Sequence, residues 1–306
     1  MPAVFAPGDH PIEGSRLADV YIIPRPDRET HARISSEGTH KMDLQLTGKR
    51  AVVTGGSRGI GRAIASVLAR EGCDVVICAR SEEALVKAAA EISSESGRDV
   101  SAAVADTSKA EDVDAMIEFA ARTLGGIDIL VNNAAAVGGR GAADTLLAGD
   151  DSLLQSDFDT KVLGYVRASR AAARYMVEQG WGRIIQISGL ATRMATAVSG
   201  GMRNAAVTNL GAVLANELGP HGITVNTLQP GAVLTEAFGA RIEALADAQG
   251  VEVETLLERF ARGNSIGRIV TASEVAEVAA FIASPLSAAL TGESIAVGGG
   301  SPNVYY

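Results

Sequence analysis

The chain has 306 residues, 47% of them hydrophobic and 21% charged, a globular balance that excludes an intrinsically disordered protein. Its formal net charge of −9 argues against nucleic acid as the main partner. Two cysteines cannot build a disulfide framework, and no apolar run reaches the roughly 18 residues that a membrane helix needs. Three of the four histidines fall in the first forty residues, so no metal site is expected in the fold. The start at Met1-Pro2 lacks a basic stretch and an apolar core, so no secretory signal is expected. A reducing, cytoplasmic setting is the expectation.

Residues 1–44 carry Pro2, Pro7, Pro11, Pro24 and Pro26 and hold no sustained period. They read as an irregular extension with one sticky run, Val20-Tyr21-Ile22-Ile23. From Lys49 the rhythm becomes regular. Ala51-Val52-Val53 is a strand that ends in Thr54-Gly55-Gly56. Ile60, Ile64, Val67 and Leu68 then recur at helical spacing, and Gly72 stops that helix. Strands are predicted over Asp74–Cys78, Val100–Val104, Ile127–Val131, Gly182–Ile187, Ile223–Leu228 and 294–297. Helices are predicted over Glu82–Ser96, Asp112–Leu124, Lys161–Glu178, Val198–Leu218 and 273–283. This alternation predicts an α/β fold: one doubly wound parallel sheet, helices on both faces, of the Rossmann type. A more polar helical stretch at 236–265 reads as an insertion above the carboxyl ends of the strands, where ligands bind in such folds.

The segment Thr54-Gly55-Gly56-Ser57-Arg58-Gly59-Ile60-Gly61 lies between the first strand and the first helix. Glycine suits the turn, and it lets a pyrophosphate approach backbone N–H groups at a helix N-terminus. Placed there, the loop reads as a dinucleotide cradle. It resembles the T-G-x-x-x-G-x-G loop of the short-chain dehydrogenase/reductase family. The resemblance runs over about residues 46–300 and extends to Asn132-Asn133-Ala134-Ala135, Pro230-Gly231-Ala232-Val233-Leu234-Thr235, Gly267-Arg268, and Thr291-Gly292-Glu293 with Gly298-Gly299-Gly300. It implies that Gly55, Ser57, Arg58, Gly59, Ile60 and Gly61 line the pyrophosphate and the adenosine ribose. It also implies that Asp106 faces the adenine amine and that Asn133, Ala134 and Ala135 floor the pocket. Pro230, Gly231, Val233 and Thr235 would hold the nicotinamide. Residues 45–306 would then be one dinucleotide-binding oxidoreductase domain.

Charge selects the dinucleotide. A ribose 2′-hydroxyl wants an acid at the end of the second strand, and a 2′-phosphate wants a cation. Ala79 occupies the acid position, Arg80 follows it, and Arg58 sits in the loop. Two guanidiniums suit a phosphate, so NADP is expected ahead of NAD.

The resemblance fails at the family's catalytic tetrad of Asn, Ser, Tyr and Lys. Where the Tyr and Lys should stand, the sequence has Gly200 and Asn204. The family's Asn position holds Lys161, and the Ser position aligns with Gly189 or Ser188. If both helices keep their family positions, lysine and asparagine have exchanged places, which would keep a cation near the nicotinamide ribose from the opposite wall. The bland alternative is a Lys161 that reaches solvent in a decayed site. Ser188, Lys161 and Asn204 are the candidate catalytic residues. Tyr165, one turn after Lys161, fits packing better than acid catalysis. Arg193 and Arg203 could attract an acidic substrate, but they read more readily as surface residues.

Two functions follow. One is an NADP(H)-dependent oxidoreductase acting on a small-molecule ketone/alcohol pair with a non-standard active site. The other is a catalytically degenerate nucleotide-binding subunit that pairs with an active relative. The resemblance also implies a dimer or tetramer, formed through the helices that contain Lys161–Glu178 and Gly200–Leu218. No nucleic acid and no membrane is expected as a partner.

Overall fold

Short apolar strands that are buried on both faces require helices above and below them. The computed structural model describes residues 42–135, 147, 149, 151–194 and 198–301. The arm through Val20-Tyr21-Ile22-Ile23, the Tyr305-Tyr306 end and nearly all of residues 1–44 lie outside the described residues. Nine strands are described: β1 (Arg50–Thr54), β2 (Asp74–Ala79), β3 (Val100–Val104), β4 (Ile129–Asn132), β5 (Gly182–Ile187), β6 (Ile223–Pro230), β7 (Val233–Leu234), β8 (Val270–Thr271) and β9 (Ser294–Val297). The α-helices are α1 (Gly59–Arg70), α2 (Glu82–Ser96), α3 (Ala110–Leu124), α4 (Asp151–Asp157), α5 (Gly164–Gln179), α6 (Val198–Leu218), α7 (Glu236–Gln249), α8 (Val253–Arg262) and α9 (Ala272–Ala283).

Seven strands form one parallel sheet in the order β3-β2-β1-β4-β5-β6-β9. The expected doubly wound fold is present. Successive residues of each strand face opposite layers. Val53, Val75 and Ile77 pack with Ile64, Leu68, Leu85 and Ala280, from α1, α2 and α9. Val52 and Val76 pack on the other side with Val113, Ile117, Ala172 and Met176, from α3 and α5. The strand order reverses between β1 and β4, so a crevice opens at their carboxyl ends.

One stretch departs from the periodicity. The helix expected from Lys161 starts at Gly164, after α4 and a single π-helical turn, Phe158–Leu163. The π turn carries an extra residue per turn, which a 3.6-residue period cannot reveal. The stretch 236–265 is two helices, α7 and α8, with a small core of Ile242, Ala246 and Leu256. Among the described residues, no helix is long and apolar enough to cross a membrane, and no acidic, histidine or cysteine cluster could hold a metal. Cys73 and Cys78 are free and buried, and burial pushes both thiols up to about 12.

Candidate active site

The loop after β1 leaves the start of α1 open to an anion. No side chain caps that helix, and its first turn contains no acidic residue. Gly55 and Gly59 have φ of 68° and 57°, in the left-handed region that favours glycine. At Gly61, an added Cβ would stand 2.2 Å from the Gly55 carbonyl oxygen and 2.4 Å from Asn133 Nδ2. Glycine is therefore the only residue that lets α1 close on the loop. Asn133 braces the same turn, because its Nδ2 donates to the carbonyls of Thr54 and Gly55, both at 3.1 Å. Thr54 Oγ1 in turn accepts the N–H groups of Asn133 and Ala134, at 2.9 and 3.1 Å. Open N–H groups and a glycine-lined bend fit a pyrophosphate.

Around this cradle the remaining nucleotide candidates take their places at the carboxyl ends of the strands. Ser57 and Arg58 stand in the turn, Arg80 follows β2, and both arginines are exposed. Ala79 ends β2 and brings no carboxylate. Asp106 follows β3 and accepts from the N–H and the hydroxyl of Ser108, at 3.0 and 2.8 Å. Burial alone would raise its pKa, but the bonds from Ser108 and the nearby Arg80 leave it lowered. Ala134 and Ala135 follow β4.

A cavity of about 730 Å³ adjoins the loop. Ile60, Pro230, Gly231, Val233 and Thr235 line it together with Ser188 and Asn204. The structure thus brings the expected nicotinamide segment and two of the catalytic candidates into one space. Thr235 caps α7 by accepting from the Phe238 N–H at 3.2 Å. Its methyl group lies 3.5 Å from the position that a Cβ on Gly59 would take.

Lys161 is not exposed. It sits on the π turn, 5% accessible, and its Nζ donates to Asn204 Oδ1 at 2.7 Å and to the Ser188 carbonyl at 3.2 Å. Burial drives its pKa down to about 7; Arg203 lowers it further and Asp157 opposes. Because an ammonium only donates, Asn204 must turn Oδ1 toward it. The Nδ2 end of the amide is then presented on the side of Gly189, a residue of the cavity wall. Lysine and asparagine are in direct contact, with Asn204 in the cavity wall and Lys161 behind it rather than facing the cavity. The Ser188 hydroxyl donates to the Asn204 carbonyl at 2.9 Å and lies 3.2 Å from Thr208 Oγ1. Tyr165 is buried, with its hydroxyl donating to the Ile187 carbonyl at 3.0 Å, and burial raises its pKa.

Arg203 corrects the surface reading. It is 7% exposed, and its Nη1 donates to Asp157 Oδ2 at 2.7 Å. Ser199 donates to the same oxygen. Asp157 ends α4, four residues before Lys161. That spacing was the available clue, because residues four apart share a helix face.

The residues 49–245 match the family model described as short chain dehydrogenase. The chain belongs to the short-chain dehydrogenase family. It is 36% identical over 253 residues to the short-chain reductase protein NovJ of Streptomyces niveus, covering 82% of this chain and 93% of that one. It also resembles L-sorbose reductase from Gluconobacter frateurii, solved with NADPH and L-sorbose (TM-score 0.81, 30% identity, 86% of this chain and 100% of that one). A variant of actinorhodin polyketide ketoreductase, solved with NADPH, is similar as well (TM-score 0.77, 32% identity, 82% of this chain and 96% of that one).

Proposed function

We propose that this short-chain dehydrogenase is an NADP(H)-dependent oxidoreductase acting on a ketone/alcohol pair, with a non-standard active site. The observation that carries the reading is the 2.7 Å bond from Lys161 Nζ to Asn204 Oδ1 at the cavity wall. NADP(H), when bound, supplies or accepts the hydride. Gly55, Ser57, Gly59, Ile60 and Gly61 cradle its pyrophosphate, and Arg58 and Arg80 hold the 2′-phosphate. Asp106, Asn133, Ala134 and Ala135 seat the adenosine side, and Pro230, Gly231, Val233 and Thr235 the nicotinamide side. NADP is supported by the missing acid at Ala79, by the two exposed arginines, and by the NADPH in the two similar structures; NAD is the second choice.

Gly200 and Asn204 stand where the family's usual tyrosine and lysine would be, so charge on the substrate oxygen needs another partner. Asn204 Nδ2–H donates to that oxygen as it becomes negative. Ser188 swings its hydroxyl from the Asn204 carbonyl to the same oxygen. Lys161 acts through Asn204 as a positioning residue: it fixes the amide and places a positive charge one bond behind it. A preorganised donor of this kind is worth about 10²–10³-fold in kcat. Water in the open cavity returns the proton.

The test is NADPH consumption against a panel of ketones. The wild type turns over at least one. Lys161→Met keeps NADPH affinity and loses about 10²-fold in kcat. Lys161→Arg retains the charge and recovers activity. The second reading, a nucleotide-binding subunit without turnover, is favoured by the Ser188 hydroxyl being engaged by the Asn204 carbonyl. Tight NADPH binding with no ketone reduced would establish it.

Residues 45–306 are the working unit in this reading, and residues 1–44 an extension to it. Association into a dimer or tetramer uses α5 and α6, where Val177, Met202 and Val213 are exposed apolar residues.

A further inference from the structure

The cavity beside Asn204 has a charge pattern that ketone reduction does not itself require. Three arginines line it, Arg203, Arg241 and Arg259, and among the described residues no aspartate or glutamate does. This is unexpected in a chain of net charge −9. Asp157 neutralises Arg203, yet Arg203 Nε is buried with no hydrogen-bond partner. Arg241 on α7 and Arg259 on α8 are exposed and make no ion pair among the described residues. Between them the helices meet through Phe238 and Phe260, packed edge to face with centroids 5.4 Å apart. Both rings also line the cavity.

A guanidinium presents a planar fork of donors that matches a carboxylate. Aromatic rings offer a surface to an apolar body. Arg241 and Arg259 are carried on helices with their own small core, so they are held in place rather than trailing from loops. We infer that the substrate is a keto acid with an apolar or aromatic body, its carboxylate held by Arg241 and Arg259 at the mouth and its ketone directed to Asn204 and Ser188. The inference rests on the proposed function, since it takes this cavity as the carbonyl site.

The test uses the full chain, with and without NADP+. The probes are benzoylformate, 3-benzoylpropionate and 4-benzoylbutyrate, each beside its methyl ester. Binding is measured by calorimetry and turnover by NADPH consumption. At least one acid is expected to bind 10-fold or more tighter than its ester. Arg241→Gln with Arg259→Gln should erase that preference and leave ester binding and NADPH affinity unchanged. The inference is overturned if the wild type does not discriminate acids from esters, if discrimination survives both substitutions, or if the substitutions weaken NADPH instead. Turnover of esters without acid preference would sink the inference and keep the reductase reading. Arginine-dependent acid binding without hydride transfer would keep the carboxylate site and sink the reductase reading on which the assignment as substrate rests.

Discussion

Arg203 Nη1 lies 2.7 Å from Asp157 Oδ2, and this buried ion pair ties the end of α4 to α6 directly beside Lys161. The pair controls Lys161 from two sides: Arg203 depresses its pKa and Asp157 supports it. Asp157→Asn leaves the Arg203 charge unpaired in the interior. It should cost about 3–5 kcal/mol in urea unfolding, the usual penalty for breaking a buried pair from one side. It should also move the pH midpoint of ketone reduction downward. Arg203→Met should move the midpoint upward. Equal shifts in one direction would show that the pair does not act on Lys161.

Lys161 also makes stability depend on pH. Its folded pKa, about 7, lies below the ordinary 10.5 of a lysine, so between those values the unfolded chain binds the extra proton. Stability therefore rises with pH from about 7, by about 1.4 kcal/mol per pH unit at full slope. Cys73 and Cys78, with pKa values raised to about 12, act in the opposite sense above their ordinary 9. The clean window is thus pH 7 to 8.5. Urea midpoints of the wild type should climb across it, and those of Lys161→Met should stay flat.

The same pKa gives a pH profile for the reaction. In the proposed function reduction uses the charged Lys161, so kcat should fall as pH rises through about 7. Lys161→Arg should remove that fall, because a guanidinium keeps its proton throughout. An unchanged midpoint in the arginine variant would assign the titration to another group.

The sheet was legible because alternation of short apolar strands with amphipathic helices leaves few other solutions, and the loop after β1 was legible because its glycines stand between a strand and a helix. The arrangement around Lys161 is non-local. Asp157 and Arg203 are 46 residues apart in sequence, so no local pattern announces their pairing. Lys161 looked equally suited to solvent, and its burial depends on the π turn that points it at α6. Arg241 and Arg259 lay in a polar stretch whose fold into two helices determines which side chains face the cavity.

Gly61 offers a direct test of the cradle. In Gly61→Ala the new Cβ would meet the Gly55 carbonyl oxygen at 2.2 Å, a backbone atom that cannot swing aside. The loop or the start of α1 must shift, at about 1–3 kcal/mol for overpacking of this kind. NADPH affinity should drop with it, while the far end of the sheet stays intact by circular dichroism. Unaltered NADPH affinity would mean that the dinucleotide sits elsewhere.

In the proposed function Arg58 and Arg80 decide the choice between NADPH and NADH. Both are exposed at the carboxyl ends of strands, and Ala79 supplies no carboxylate for a ribose hydroxyl. A hydrogen bond to a charged group is worth about 1.5–3 kcal/mol, so replacing both arginines by glutamine should weaken NADPH by roughly 10²-fold or more. NADH, which lacks the phosphate, should be nearly unaffected. Ala79→Asp should go further, since it adds an acceptor for the ribose hydroxyl and a repulsive charge against the phosphate. Fluorescence titration of each variant with both coenzymes measures the ratio directly. A loss of affinity shared equally by NADPH and NADH would show that the arginines hold the common pyrophosphate rather than the 2′-phosphate.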